Sequence, residues 1–262
     1  MAVMDPQAIL YRDDDLMAVN KPAGVPVHGS RILADQPETM LALLRAHIGR
    51  MVYTVHRLDR PVSGALVLAL SRHVQAELGH EFEHRRARKS YLAVVRGWPD
   101  SSGVISHAMQ PPRDERTAGS QAREAVTCYE RIARVEIPQA VQPYPASRYS
   151  LVALYPETGR RHQLRRHMKH ISHHIIGDTT YGRGEHNRLF REKFSCTRLL
   201  LHAWSLEIHH PAGGELLRFQ APLGNAFSAI IDAFDWAGPL DAWTLRPVLR
   251  FPPGDLSGHP QR

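Results

Sequence analysis

Residues 56–64 read HRLDRPVSG and run straight into the apolar stretch ALVLAL, residues 65–70. One carboxylate, Asp59, stands between Arg57 and Arg60 with His56 close by, at the mouth of a hydrophobic segment. Residues 66–70, bounded by Gly64 and Ser71, have the continuous apolar character of a strand buried on both faces. Nearby positive charge favours the ionised form of a carboxylate. An ionised carboxylate is a poor acid but serves as a nucleophile or weak base. For an isolated Asp–Arg pair the ordinary explanation is an ion-paired turn, so the rest of the chain has to decide.

Working outward, the opening ILYRDDDLMAVNKPAGVPVHGS predicts two short strands around an Asp-rich turn, followed by a Pro/Gly loop that cannot be helical. Asp35 and Glu38 have capping-box spacing, with Pro37 in the first turn, Leu41, Leu44 and Ile48 on one face and Gly49 as the stop. Ser71 caps a second helix through Val74, Leu78 and Phe82, ending in the basic cluster HRRARK. YLAVV (91–95) and YSLVAL (149–154) predict further strands. Between them lie two polar loops, residues 109–124 and 137–147, readable as idle insertions or as substrate-contacting segments. Strands and helices mingle without a βαβ rhythm. The expected fold class is therefore α+β, a mixed, mostly antiparallel sheet flanked by helices and loops. Residues 1–236 are expected to form the main domain and 237–262 a Pro/Gly-rich C-terminal extension that ends in disorder.

The second chemical element is TGRRHQLRRHMKH, residues 158–170. Leu164, Met168 and Ile171 space themselves as the inner stripe of a helix, leaving Arg160, Arg161, Arg165, Arg166 and Lys169 around the remaining surface. No acid follows Glu157 within the run, so this charge needs phosphates or a buried aspartate to answer it. The planar guanidinium of Arg165 suits a carboxylate. Thirty-three Lys and Arg against 26 Asp and Glu give a formal charge of +7, which points to a polyanionic partner. The 17 histidines could be metal ligands, RNA contacts or filler. Two distant cysteines, Cys128 and Cys196, suggest neither a disulfide framework nor a thiolate metal site. No apolar run approaches the roughly 18 residues of a membrane span, and the first residues lack a secretory leader pattern, so a cytoplasmic protein without membrane contact is expected.

HRLDRPVSG resembles the catalytic motif of the RluA-type pseudouridine synthases. The neighbouring segments agree in order: NKPAG with VH (20–28), RKSYLAVVRG (88–97), TGRRHQLRRHM (158–168), HHIIGDTTYG (173–182) and RLLLHA (198–203). The resemblance runs from Ile9 to Ala221, directly at the catalytic domain, and no S4-like N-terminal module is expected. Two departures stand out, Val62 where relatives often carry threonine and His174 where proline is common. Within the family, the similarity favours the branch acting on uridine-65 of tRNA, with an rRNA uridine as the alternative target. The resemblance implies that Asp59 is the nucleophile and that Arg165 pairs with it and orients it. It implies that Tyr91 stacks on the target uracil and assists loss of the C5 proton. It implies that Arg57 slips into the space left by the flipped nucleotide. Such an isomerisation has no net redox change and needs no cofactor or metal. No obligate protein partner is evident, and a monomer is expected.

Other readings are weaker. HRLD lacks the following asparagine and the preceding glycine-rich loop of a kinase. His167, His170, His173 and His174 step along one segment in a way that could suit a metal-dependent hydrolase, but no carboxylate completes such a site. A non-catalytic RNA-binding module would not need Asp59, Tyr91 and Arg165 together.

Overall fold

A computed structural model describes residues 5–29, 39–111, 117 and 119–246. Among these residues one ten-stranded sheet carries the molecule, with the main order β1-β2-β4-β9-β5-β8-β7-β6. Its strands are β1 (Ile9–Arg12), β2 (Leu16–Lys21), β3 (Tyr53–Thr54), β4 (Ser63–Ala69), β5 (Arg88–Arg96), β6 (Ser102–Ser106), β7 (Val126–Ile137), β8 (Ser147–Pro156), β9 (Leu201–His209) and β10 (Leu216–Gln220). β3 pairs with β4 and β10 with β9. Every pairing is antiparallel except β4 with β9, which meet in parallel at Ser63–His202 and Gly64–Ala203. The fold is thus α+β with a mixed, mostly antiparallel sheet.

Strand period explains how the sheet is covered. On β2, Met17 and Val19 join one apolar cluster while Leu16 and Ala18 join another on the opposite face. β4 does the same with Leu66 and Leu68 against Ala65, Val67 and Ala69, and all seven of its residues are buried, as the run ALVLAL requires. Helices α1 (Met40–Ile48) and α3 (Gln163–His170) pack on the first face through Met40, Leu44, Leu164 and Met168. Helix α2 (Arg72–Glu83) packs on the second face through Val74 and Leu78, and its cap is the predicted one, Ser71 Oγ accepting from Val74 N. Helices α4 (Gly184–Phe194), α5 (Asn225–Ala233) and α6 (Ala237–Thr244) cover the far end of that face through Phe190, Phe227, Ile230 and Leu240. On β7 a bulge between Arg131 and Ala133 inverts the alternation. Tyr129 therefore faces the first cluster, whereas Ala133 and Val135 face that of α4–α6.

Helix α1 starts at Met40 with Thr39 as its cap, Oγ1 accepting from Ala42 N, and Gly49 closes it in the left-handed region at φ 68°. The proposed capping pair Asp35 and Glu38 lies outside the described residues, as do residues 112–116 of the first polar loop and 247–262 of the C-terminal stretch. Packing continues past residue 236: Leu240 is buried, and Trp243 Nε1 donates to Glu130 on β7.

The parallel contact of β4 with β9 decides how the Asp59 loop enters the sheet. Gly64 sits at φ 114°, and a Cβ there would lie 2.2 Å from the backbone oxygen of Ala203. Gly64→Ala should therefore cost about 3 kcal/mol or more, from strain plus overpacking, read as a lower urea midpoint.

Candidate active site

The loop of residues 55–62 alternates as it approaches β4. Leu58 and Val62 are buried in the first cluster, Arg57 is exposed, and Asp59 lies between these extremes with a carboxylate 15 % exposed. Val62 N donates to Asp59 O at 3.0 Å, closing a turn around Pro61. The NKPAG segment clamps that turn. Gly24 N donates to Arg60 O at 2.8 Å, Arg60 Nε returns to Gly24 O at 2.9 Å, and the fully buried Lys21 Nζ donates to Pro22 O, Val25 O and Arg60 O. Burial pushes the Lys21 ammonium down to about 7, the Arg198 charge adds to this, and Asp59 opposes it. Beneath the loop, Arg198 Nη2 donates to Ser63 Oγ at 2.7 Å. Burial pushes His202 down to about 4 and so keeps it neutral. Its Nε2 donates to Ala221 O at 3.0 Å, and its Nδ1 accepts from Ser63 Oγ at 2.7 Å.

The bases next to Asp59 in sequence do not hold it. Arg60 turns to Gly24, and His56 folds back so that Val67 N donates to its Nε2 at 3.0 Å while its ring stacks on Phe82. Burial, with the Lys89 charge, holds His56 down at about 3, so it is neutral. The contact comes from 106 residues away: Arg165 Nη1 donates to Asp59 Oδ2 at 3.2 Å. Arg165 is only 5 % exposed and therefore does not project around the surface of α3 as the helical stripe suggested. Its other edge is taken by Asp178, with Nε to Oδ2 at 2.7 Å and Nη2 to Oδ1 at 2.8 Å. Asp178 Oδ1 also accepts from the backbone of Thr180 and Tyr181, a tight turn that Gly182 completes. Burial pushes the Asp178 carboxyl up, but the Arg165 and backbone hydrogen bonds outweigh it and hold it below the usual carboxylate range.

Asp59, Arg57, Tyr91 and Arg165 all line one cleft of about 1280 Å³. That exceeds the ~300–1,000 Å³ of ordinary small-molecule pockets. Tyr91 projects from β5, packs against the first cluster and stands in the field of Asp59; burial, then that negative charge, pushes its phenol up. Arg85, Arg88, Lys89, Arg123, Arg160 and Arg166 give the walls their positive sign, with Glu83, Glu157 and Glu207 as the acids among them. The four histidines of the hydrolase reading disperse. His167 Nδ1 meets Thr127 Oγ1, His170 stacks on His107, His173 meets Arg96 O and His174 meets Tyr181 O. Among the described residues no group of three or more His, Cys, Asp or Glu could hold a metal ion, and no helix is long and apolar enough to cross a membrane.

The family model described as RNA pseudouridylate synthase matches residues 15–170. The chain belongs to that family. Among similar curated proteins, the tRNA pseudouridine synthase C of Vibrio parahaemolyticus is 42 % identical over 233 residues, covering 87 % of this chain and 95 % of that one. Its counterpart in Yersinia pestis is 44 % identical, covering 88 % and 91 %. That of Pectobacterium carotovorum is 45 % identical over 88 % of this chain, which spans 63 % of that relative's length. Among solved structures, Human RNA Pseudouridylate Synthase Domain Containing 4 matches with a TM-score of 0.64 at 25 % identity over 87 % of this chain and 93 % of that one.

Three site residues of this pseudouridylate synthase were not singled out from the sequence: Lys21, His162 and Asp178. The last had a signal, because GDTTYG supplies an aspartate followed by free backbone donors and a glycine, the make-up of an Asx turn, just beyond an arginine run with no acid of its own. Lys21 and His162 lie within the quoted NKPAG and TGRRHQLRRHM segments, but their partners, backbone carbonyls and Tyr181, could not be read from there. Breaking the buried pair with Asp178→Asn should cost about 3–5 kcal/mol, because it strands the Arg165 charge. In wild type the contribution of Asp178 is present above its unfolded-state pKa and lost as pH falls through its depressed folded value. The Asn variant should therefore show a flatter acid limb in stability, measured by urea unfolding at a series of acid pH values.

Proposed function

We propose that this synthase isomerises uridine to pseudouridine in tRNA, at uridine-65, with Asp59 as the nucleophile. The observation that carries the reading is the ionic contact of Asp59 Oδ2 with Arg165 at the floor of a cleft walled by arginines, in a chain of this family. The similarity to tRNA pseudouridine synthase C over nearly nine-tenths of the chain supports tRNA over rRNA as the substrate. Residues 1–236 form the catalytic unit in this reading, with α6 as a brace on β7.

The reaction breaks the C1′–N1 bond, rotates the uracil and joins C5 to C1′; C5 gives up a proton and N1 gains one, so electrons balance without a redox partner. A uridine in a stem must first leave its stack. Arg57, exposed at the rim two residues from Asp59, is placed to fill the gap. Tyr91, a rigid aromatic wall beside Asp59, is placed to stack on the extruded base. Arg165 gives up one hydrogen bond to hold the carboxylate in orientation, which is gained as proximity. The basic walls take the phosphates on either side, and the enzyme works as a monomer in the cytoplasm.

Pseudouridine mapping of total RNA from a deletion strain tests the target. The expected result is loss of the mark at tRNA position 65, and a missing site in 23S rRNA instead would overturn the tRNA assignment. Asp59→Ala should abolish pseudouridine in that RNA while RNA affinity stays within a few-fold. Affinity should fall steeply with salt, by roughly tenfold or more for a fourfold rise in concentration, because each phosphate contact releases a counterion. Titrations of labelled tRNA at several salt concentrations check this, and a flat profile would remove the cleft arginines from the interface.

A further inference from the structure

Two contacts to Asp59 converge on one oxygen. Arg165 Nη1 donates to Oδ2 at 3.2 Å, and His162 Nε2 stands 3.7 Å from the same atom. Among the described residues, no hydrogen bond reaches Oδ1. His162 reaches this place at a cost, for its backbone lies in the left-handed region at φ 57°, where a side chain is strained. It is the N-cap residue of α3 but makes no side-chain cap hydrogen bond, so capping does not account for the conformation. Its Nδ1 lies 2.9 Å from the Tyr181 hydroxyl, with the two rings edge to face at 5.6 Å.

The protons can be assigned from the partners. A carboxylate only accepts, so the neutral imidazole must present Nε2–H to Asp59 and leave Nδ1 as an acceptor; Tyr181 then donates its O–H to Nδ1. Tyr181 is itself fixed, its backbone N–H on Asp178 Oδ1 and its ring 5.1 Å from the Arg165 guanidinium carbon. One turn, residues 178–182, thereby aims both groups that meet the Asp59 carboxylate.

We infer that His162, aimed by Tyr181, is a positioning residue for the isomerisation: beside Arg165 it favours Oδ2 as the held oxygen and leaves Oδ1 to meet the target nucleoside. This rests on Asp59 being the nucleophile. A carboxylate held by one donor can rotate and exchange its oxygens, whereas a fixed imidazole N–H 3.7 Å from Oδ2, outside hydrogen-bond range but in its field, biases that oxygen to stay with Arg165. The imidazole has to be neutral in this role, since a second proton would put a full charge against the reacting group and weaken it. The groups facing His162 are Asp59 from the loop before β4, Arg161 and Arg165 from its own segment, and Asp178 and Tyr181 from the turn beyond α3. Burial, then the two arginines, outweigh the two aspartates and hold its pKa below the ordinary histidine value, so it is neutral at pH 7.

The test is single-turnover pseudouridine formation at saturating RNA, on whichever RNA the wild type modifies, from roughly pH 5 to pH 8, with Kd measured alongside. Glutamine keeps a neutral N–H donor but cannot titrate or be aimed by Tyr181. His162→Gln should lower the single-turnover rate about tenfold with Kd within about twofold, and the fall in rate that wild type shows on acidification should vanish. Tyr181→Phe keeps the ring against Arg165 but lets the imidazole swing, so the rate should fall in the same sense with Kd unchanged. A His162→Gln enzyme with the wild-type rate and acid limb, or a loss confined to Kd, would overturn the inference; should that variant fail to fold, the rate and Kd of Tyr181→Phe decide. Turnover by Asp59→Asn would instead sink the nucleophile assignment, which keeps the two failures apart.

Discussion

A single guanidinium, that of Arg165, is shared between two carboxylates in a place water barely reaches, and the geometry of the site follows from how unequally it is shared. Asp178 takes Nε and Nη2 in a bidentate pair at 2.7 and 2.8 Å. Asp59 receives only Nη1, at 3.2 Å. Burying ions is costly and is offset only by close, well-directed contacts. The Asp178 fork provides those and fixes Arg165 whether or not Asp59 is engaged. Asp59 is oriented by a charge that another residue already anchors, and it keeps the weaker contact, which suits the nucleophile role proposed for it.

The surroundings follow the same separation of structural from chemical charge. Two further cations near the loop, the buried Lys21 and the half-buried Arg198, are satisfied by carbonyls and a hydroxyl rather than by acids. Their hydrogen bonds are met without neutralising their fields, and Asp59 is the carboxylate whose charge Lys21 feels. The same donors lock the backbone, Lys21 tying the NKPAG loop to the Asp59 turn and Arg198 tying that turn to β9 through Ser63 and His202. The two departures from the family pattern are absorbed locally: Val62 fills the core under the loop, and His174 Nδ1 donates to the Tyr181 carbonyl.

Elements with a strong local signal were legible in the chain. The strand from ALVLAL, the Ser71 cap, the Asp-rich first turn and the inner stripe of α3 each depend on residues within a few positions of one another. Helix α1 was legible through its stripe of Leu41, Leu44 and Ile48 and its stop at Gly49; it begins at Met40 with Thr39 as cap, and Met40 and Leu44 pack under the sheet. The reversal of β7 at its bulge left no trace in residue type, since both of its faces are apolar somewhere along the strand.

By itself the sequence determined the α+β class and the basic balance that calls for a polyanion, because these depend on residue identity and short-range spacing, and its resemblance to the family implied that Asp59, Arg57, Tyr91 and Arg165 share one site. Apart from the Asp59–Arg165 pair, which the resemblance implied, only the tertiary structure decided which charges touch. Arg60 and His56 flank the acid along the chain yet bond elsewhere, while Arg165 and His162 come to it from the start of α3 and Asp178 acts through Arg165. Neighbours along an extended loop diverge by construction, so the partner of a loop side chain is chosen by the packing of whole strands and helices, here β4, α3 and the turn of residues 178–182.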